Sequence, residues 1–221
     1  MKTLEGKVVA LGSQGVGKTS MIIRYTSRTF NKHVSPTIGA SFFTCKFNME
    51  NARILLQVWD TAGQEKFKSM APMYYRNANA AMLVFDLTRY NTFAAMKEWV
   101  AELRRKVEET MVLVLVGNKS DLRKERQVDA EEGRVYATKI GATYHETSVV
   151  ENEGIENVFF TIGKGLLGLS SAERDSTSIR IYESTNLNLS TTDMLLTPSL
   201  EESAQSCNIA HGIQERPHRC C

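Results

Sequence analysis

The chain has 221 residues, 42% hydrophobic and 24% charged, with a formal net charge of +2. That is enough apolar material for one packed domain of ordinary size plus an extension, and the near-neutral balance excludes a broadly basic nucleic-acid binder. Four cysteines, Cys45, Cys207, Cys220 and Cys221, are too few and too badly spaced for a disulfide scaffold or a zinc site, which points to a reducing, cytosolic setting. Residues 1–7 contain no apolar signal core and no purely apolar run is longer than Met111–Val116, so any membrane contact is expected to come from something other than a span.

In chain order, the apolar run Val8–Leu11 reads as a buried strand leading into Gly12-Ser13-Gln14-Gly15-Val16-Gly17-Lys18-Thr19, which fits the G-x-x-x-x-G-K-[ST] phosphate loop. Glycines at such a strand end permit a tight turn whose backbone N–H groups converge on phosphate oxygens. A helix starting at Lys18 and reaching Tyr25 adds its N-terminal dipole at the same place. Lys18 then reaches the β- and γ-phosphates as a point charge, and the Thr19 hydroxyl becomes a Mg²⁺ ligand. A glycine-rich surface turn is the plain alternative for this motif taken alone.

Residues Phe30–Ile38 are polar and aperiodic, an exposed loop. Two strands follow, Phe42–Phe47 and Ile54–Trp59, joined by a hairpin at Asn48–Asn51. After a polar stretch to Arg76, Ala80–Phe85 reads as a strand buried on both faces. Phe93, Met96, Val100, Leu103 and Val107 recur at helical spacing within Asn91–Val107. A further buried strand, Val112–Val116, is followed by a helix over Asp129–Lys139, a short strand at Ala142–Tyr144 and a helix over Gly154–Leu167. Alternating strands and helices predict an α/β fold: a six-stranded, mostly parallel sheet with one antiparallel edge strand and helices on both faces. The loops after Leu11, Trp59, Val116 and Tyr144 then share the carboxyl edge of the sheet, where ligands bind in this architecture.

The boundary falls near residue 169. Residues 1–169 carry +5 and form the folded domain; residues 170–221 carry −3, are rich in Ser, Thr, Asn and Glu, and read as a disordered tether. Met194-Leu195-Leu196 within it is read as stray apolar residues in a linker, with a docking site as the alternative.

Two loops complete a nucleotide constellation. Asp60-Thr61-Ala62-Gly63-Gln64 supplies a carboxylate for Mg²⁺, a glycine that leaves room for the γ-phosphate and a glutamine able to orient an attacking water. Asn118-Lys119-Ser120-Asp121 names the base: the Asp121 carboxylate accepts from guanine N1–H and the exocyclic amine, a donor pair that adenine lacks.

These motifs in this order resemble the small GTPase superfamily over about Lys7–Leu167, as a P-loop NTPase of Ras-like fold. Ile38-Gly39-Ala40-Ser41-Phe42, Trp59 through Phe67 and Ala71-Pro72-Met73-Tyr74-Tyr75-Arg76 resemble its Rab branch, the early-endosomal Rabs most closely. The resemblance implies GTP/GDP and Mg²⁺ as cofactors, with Gly12, Gly15, Val16, Gly17, Lys18, Thr19 and Ser20 around the phosphates. Thr37 is implied as the switch threonine, binding Mg²⁺ through its hydroxyl and the γ-phosphate through its amide. Mg²⁺ falls to Thr19, Thr37 and Asp60, and catalysis to Gln64, Lys18 and Thr37. Phe30 packs on the guanine edge, Lys119 lies over its face, and Asn118, Asp121, Ser148 and Val149 complete the base site. Phe42, Trp59 and Tyr74 match the aromatic triad shown to effectors; core packing is the plain alternative, for Trp59 above all.

The chain departs from the family at two places. Glu146-Thr147 is followed by Ser148-Val149-Val150 rather than Ser-Ala-Lys; a backbone N–H at Val149 still reaches guanine O6, while Val150 supplies no lysine cover, so weaker nucleotide binding is expected. Gln14 stands where relatives often carry Gly or Ser, so slow intrinsic hydrolysis and a poor response to a GTPase-activating protein are expected. The terminal Cys220-Cys221 resembles a dual geranylgeranylation signal; a C-a-a-X reading is excluded by His218. The implied partners are effectors, an exchange factor, a GTPase-activating protein, Rab escort protein with geranylgeranyl transferase, GDP dissociation inhibitor, and a membrane through the prenyl groups. The chain is expected as a monomer on the cytoplasmic face of endosomal or other endomembranes, with a cytosolic pool. Two other readings stay open: a GTP-holding, non-cycling scaffold, and a Ras- or Rho-like signalling GTPase.

Overall fold

The computed structural model describes residues 2–49, 52–64, 67, 70–107, 110–172 and 180–183. Along the chain run β1 (Lys2–Leu11), α1 (Lys18–Ser27), β2 (Ala40–Met49), β3 (Ala52–Thr61), α2 (Ala71–Tyr75), β4 (Ala80–Asp86), α3 (Tyr90–Lys106), β5 (Val112–Asn118), α4 (Ala130–Lys139), β6 (Thr143–Thr147), α5 (Ile155–Ala172) and β7 (Arg180–Glu183). The main sheet has the order β2-β3-β1-β4-β5-β6. Only β2 is antiparallel to its neighbour in that path, which is the mixed six-stranded sheet the sequence predicts.

Strand alternation builds two cores. Val8 and Ala10 of β1, Met82 and Val84 of β4 and Val114 and Val116 of β5 face one layer with Met21 and Ile22 of α1 and Val158, Phe159 and Ile162 of α5. Val9 and Leu11, Leu83 and Phe85, and Leu115 face the other with Phe93, Met96 and Trp99 of α3 and Ala137 of α4. All seven residues of β4 are buried, which is why it appears in the sequence as an unbroken apolar run rather than an alternating one. Placing helices on both faces leaves the carboxyl ends of β1, β3, β5 and β6 open for loops, and these carry the motifs.

Differences from the sequence reading lie at edges and ends. β1 begins at Lys2, six residues before its apolar run, because parallel pairing to β3 from Lys2↔Ala52 onward satisfies its backbone whatever the side chains. The stretch expected to be polar loop before Arg76 contains α2, a single short turn opened by Pro72 near its start. α5 runs on to Ala172, with Ser170 Oγ donating to Leu167 O (2.8 Å). Inside the span read as tether, β7 pairs antiparallel with Lys2–Glu5 of β1. β4 pairs only with Val8–Leu11, so the first half of β1 presents an open edge that β7 occupies. The rest of that span, including Met194–Leu196, Cys220 and Cys221, lies outside the described residues.

Candidate nucleotide site

The loop from Gly12 to Gly17 crosses the carboxyl end of β1. At Gly12 (φ 143°) a Cβ would sit 2.1 Å from the Val84 carbonyl oxygen, so the chain leaves the sheet only with glycine there. Lys18, at the start of α1, is 5% exposed; its Nζ donates to Gly12 O (2.7 Å) and Ser13 O (3.0 Å), lying across the loop whose phosphates it would meet. Gln14, Gly15, Gly17, Lys18, Thr19, Ser20, Thr37, Gly63 and Gln64 line one cleft together with Val34, Ser35 and Pro36. Val16 is buried beneath the loop, its carbonyl taking a 2.7 Å hydrogen bond from Asn118 Nδ2.

Within the cleft, Thr19 Oγ1 donates to Asp60 Oδ2 at 2.5 Å, Thr37 Oγ1 donates to the same oxygen at 3.2 Å, and the two hydroxyls are 2.9 Å apart. Asp60 is fully buried, and its Oδ1 has no hydrogen-bond partner. An orphaned buried carboxylate oxygen beside two hydroxyls fits a hard cation that takes oxygen ligands and keeps several waters, as Mg²⁺ does. Electrostatics point the same way. Burial lowers Lys18 to about 8, partly opposed by Asp60; burial also raises Asp60, opposed by the Thr19 bond, the Lys18 charge and the Thr37 bond. Burial thus opposes both charges, and perturbed titratable groups gathered at a cleft mark a candidate functional site.

The base end is built from β5 and β6. Asn118 pairs with Thr147 in the sheet, and Thr147 Oγ1 donates to Asn118 Oδ1 (3.0 Å). Asn118 is therefore a brace between the phosphate loop and β6, with one amide N–H still to give. Asp121 is half-buried and held by Ser148 Oγ (2.7 Å), which also accepts from Glu151 N. The Lys119 ammonium is 2.6 Å from Asp86 Oδ2. Val149 is buried and Val150 is 53% exposed, so position 150 faces solvent with an aliphatic side chain. Phe30 is 37% exposed after α1, outside the phosphate cleft.

Phe42 (52% exposed) meets the half-buried Trp59 edge-on at 5.5 Å, and Trp59 meets Tyr74 at 5.9 Å. Ile38 and Met73, close in sequence to Phe42 and Tyr74, are 76% and 70% exposed. Trp59 is a partly open ring in a surface row, with Lys7 Nζ 5.5 Å from its centroid.

Sequence reasoning missed Asp86 and Arg89. Asp86 ends β4, is completely buried, and takes Lys119, Arg89 and two donors from Thr88. Burial pushes its carboxyl up, but the Lys119 and Thr88 hydrogen bonds prevail and hold it below the usual range. The available signal was a lone carboxylate at the end of a wholly apolar strand, on the sheet edge where ligands bind.

Comparison with known proteins gives the family. The Ras family model matches residues 7–167. Ras-related protein RabJ of Dictyostelium discoideum is 48% identical over 165 residues, covering 75% of this chain and 64% of that protein, so the match spans just under two thirds of that relative. Ras-related protein Rab-21 of Bos taurus is 45% identical over 167 residues, 75% of each chain. Ras-related protein Rab5 of Nicotiana tabacum is 43% identical over 163 residues, 74% of this chain and 82% of that protein.

Proposed function

Because the chain belongs to the Ras family, with Rab proteins among its relatives at 43–48% identity, we propose that it is a GTP-hydrolysing switch of the Rab type. The observation that carries this is the convergence on one cleft of Lys18, Thr19, Thr37, Gly63 and Gln64, with the orphaned Asp60 oxygen beneath them. Lys18 holds the β- and γ-phosphates, Thr19, Thr37 and Asp60 hold Mg²⁺, and Asp121, positioned by Ser148, selects guanine. Bound there, Mg²⁺ neutralises charge developing on the phosphates. Gln64 orients a water in line with the γ-phosphorus, the P–O bond to the β-phosphate breaks, and GDP and phosphate leave. The loops carrying Thr37 and Gln64 are ordered by the γ-phosphate and released after hydrolysis.

The partly open aromatic row of Phe42, Trp59 and Tyr74, with Ile38 and Met73 exposed close by in sequence, is the surface such a switch offers to effectors, since apolar residues gathered on a surface mark interaction sites. Dual prenylation at Cys220 and Cys221 anchors the chain to a membrane, two lipids being needed for stable attachment. The Rab-like wording of residues 38–42 and 71–76 supports an endosomal address and a role in vesicle trafficking. No helix among the described residues is long and apolar enough to cross a membrane.

Single-turnover hydrolysis of bound GTP with Mg²⁺, run beside Gln64→Leu and with ATP as control, tests the reading. Turnover of GTP that the variant abolishes is expected. One observation favours a second reading: Gln14 lines the cleft with an exposed side chain, where it crowds the γ-phosphate and any arginine from a GTPase-activating protein. Tight GTP binding with no turnover in either form supports that non-cycling scaffold.

A further inference from the structure

Arg89 precedes α3 in a turn whose backbone is fixed: its N–H donates to Asp86 O (3.0 Å), and its own carbonyl accepts from Thr92 Oγ1 (2.7 Å). From there the guanidinium spans two loops. Its Nε is 2.9 Å from Asp86 Oδ2 and its Nη2 is 3.4 Å from Gln14 O. The same Asp86 oxygen takes Lys119 Nζ, while Oδ1 takes the Thr88 N–H (2.9 Å) and hydroxyl (2.7 Å). One buried carboxylate thus connects the motif that reads the base to the turn that holds the phosphates, and Arg89 is the arm that reaches the turn.

The point of contact is what gives the arm a role. The described peptide bonds are trans, so the Gln14 carbonyl and the Gly15 N–H point outward from opposite edges of one rigid plane. A permanently charged guanidinium on the carbonyl side fixes that plane and polarises the N–H on the other edge, the edge a phosphate-binding turn presents to an anion. Gly15 lines the cleft, and a Cβ added to it would come to 3.4 Å from Arg89 Nη2, so the guanidinium occupies the space beside this peptide. A side chain without a charged fork, or too short, could not hold Asp86 and Gln14 together.

We infer that Arg89 is a positioning residue of the nucleotide site, setting the Gln14–Gly15 peptide to receive the β-phosphate. This rests on the guanine-nucleotide reading above. The contact is half-exposed and long, so its expected worth lies at the low end for a charge-assisted hydrogen bond, a roughly three- to tenfold effect.

The test is release of a fluorescent GDP analogue, with competition by GDP and by GMP, for wild type, Arg89→Ala and Arg89→Lys in full-length protein. Arg89→Ala is expected to release the analogue about three- to tenfold faster and to lose a similar factor of its preference for GDP over GMP, because only GDP carries the β-phosphate. Arg89→Lys, which keeps the charge and loses the fork, is expected in between, and it carries the test alone should Arg89→Ala fail to fold. Faster release with an unchanged GDP/GMP ratio would mean that Arg89 acts only through Asp86 and Lys119 at the base end, and overturns the inference. So do variants with wild-type rates and ratios. Wild-type protein that retains neither nucleotide would instead overturn the guanine-nucleotide reading itself.

Discussion

Gly63→Ala separates nucleotide binding from hydrolysis. A Cβ on Gly63 would lie 2.4 Å from Gln14 N, 2.4 Å from Ser13 C and 2.6 Å from Ser13 O. All three are backbone atoms of the phosphate loop, which Lys18 and Asn118 hold by hydrogen bonds to its carbonyls, so the loop gives little. Ordinary contact begins near 3.4 Å, and the loop carrying Gly63 must retreat by about 1 Å. Gln64 moves with it, and a 1 Å misplacement of a positioning group costs on the order of 10²-fold in rate. The γ-phosphate also loses its approach to the Gly63 N–H. GDP lacks the γ-phosphate that Gly63 and Gln64 are proposed to meet, so its release should change by less than about threefold. The assay is single-turnover GTP hydrolysis beside GDP release, wild type against variant. Hydrolysis within about threefold of wild type would refute the argument that the close approach of these two loops sets the catalytic geometry.

Other consequences follow from particular side chains. Lys18 is lowered by burial to about 8 from 10.5, and bound phosphate restores its proton. GDP binding should therefore take up a proton above about pH 8, with affinity flat near neutrality and weakening toward tenfold per unit above that; titration calorimetry in buffers of different ionisation enthalpy measures the uptake. The same shift makes the nucleotide-free protein gain stability as pH rises from about 8 to about 10.5, because over that window the unfolded chain binds the proton and the folded chain does not. Val150→Lys, at a solvent-facing position beside the base end, should slow GDP release severalfold; an unchanged off-rate removes the missing lysine cover as a cause of weak binding. Gln14→Ser should raise single-turnover GTP hydrolysis, and an unchanged rate would show that crowding at position 14 is not limiting.

Much of the site could be read from sequence because phosphate and base recognition rely on backbone turns and short motifs. Gly12 is glycine since a Cβ would meet the Val84 carbonyl, and the Lys18, Thr19, Thr37 and Asp60 group gathers because three motifs end at one sheet edge. β4 and β5 were readable since burial on both faces writes an apolar run. The first half of β1, α2 and β7 were not, because backbone pairing or a single turn leaves little trace in side-chain periodicity. The Asp86–Arg89 bridge was hidden for another reason. Its partners Gln14 and Lys119 are far off in sequence and meet only once the sheet is assembled. Asn118 gained a second task on folding that its motif does not announce, the tie between Val16 and Thr147.

Nucleotide preference of wild type against Asp121→Asn tests most directly whether this is a guanine-nucleotide protein. Asp121 is held by Ser148 and is proposed as the acceptor for guanine's N1–H and amine; asparagine places a donor where one acceptor stood. Wild type is expected to bind GDP with Mg²⁺ and to ignore ADP. The variant should lose GDP affinity by a factor approaching 10⁴ while gaining xanthosine diphosphate, whose carbonyl replaces the amine. A variant that binds GDP as wild type does, or a wild type indifferent between GDP and ADP, would contradict the account.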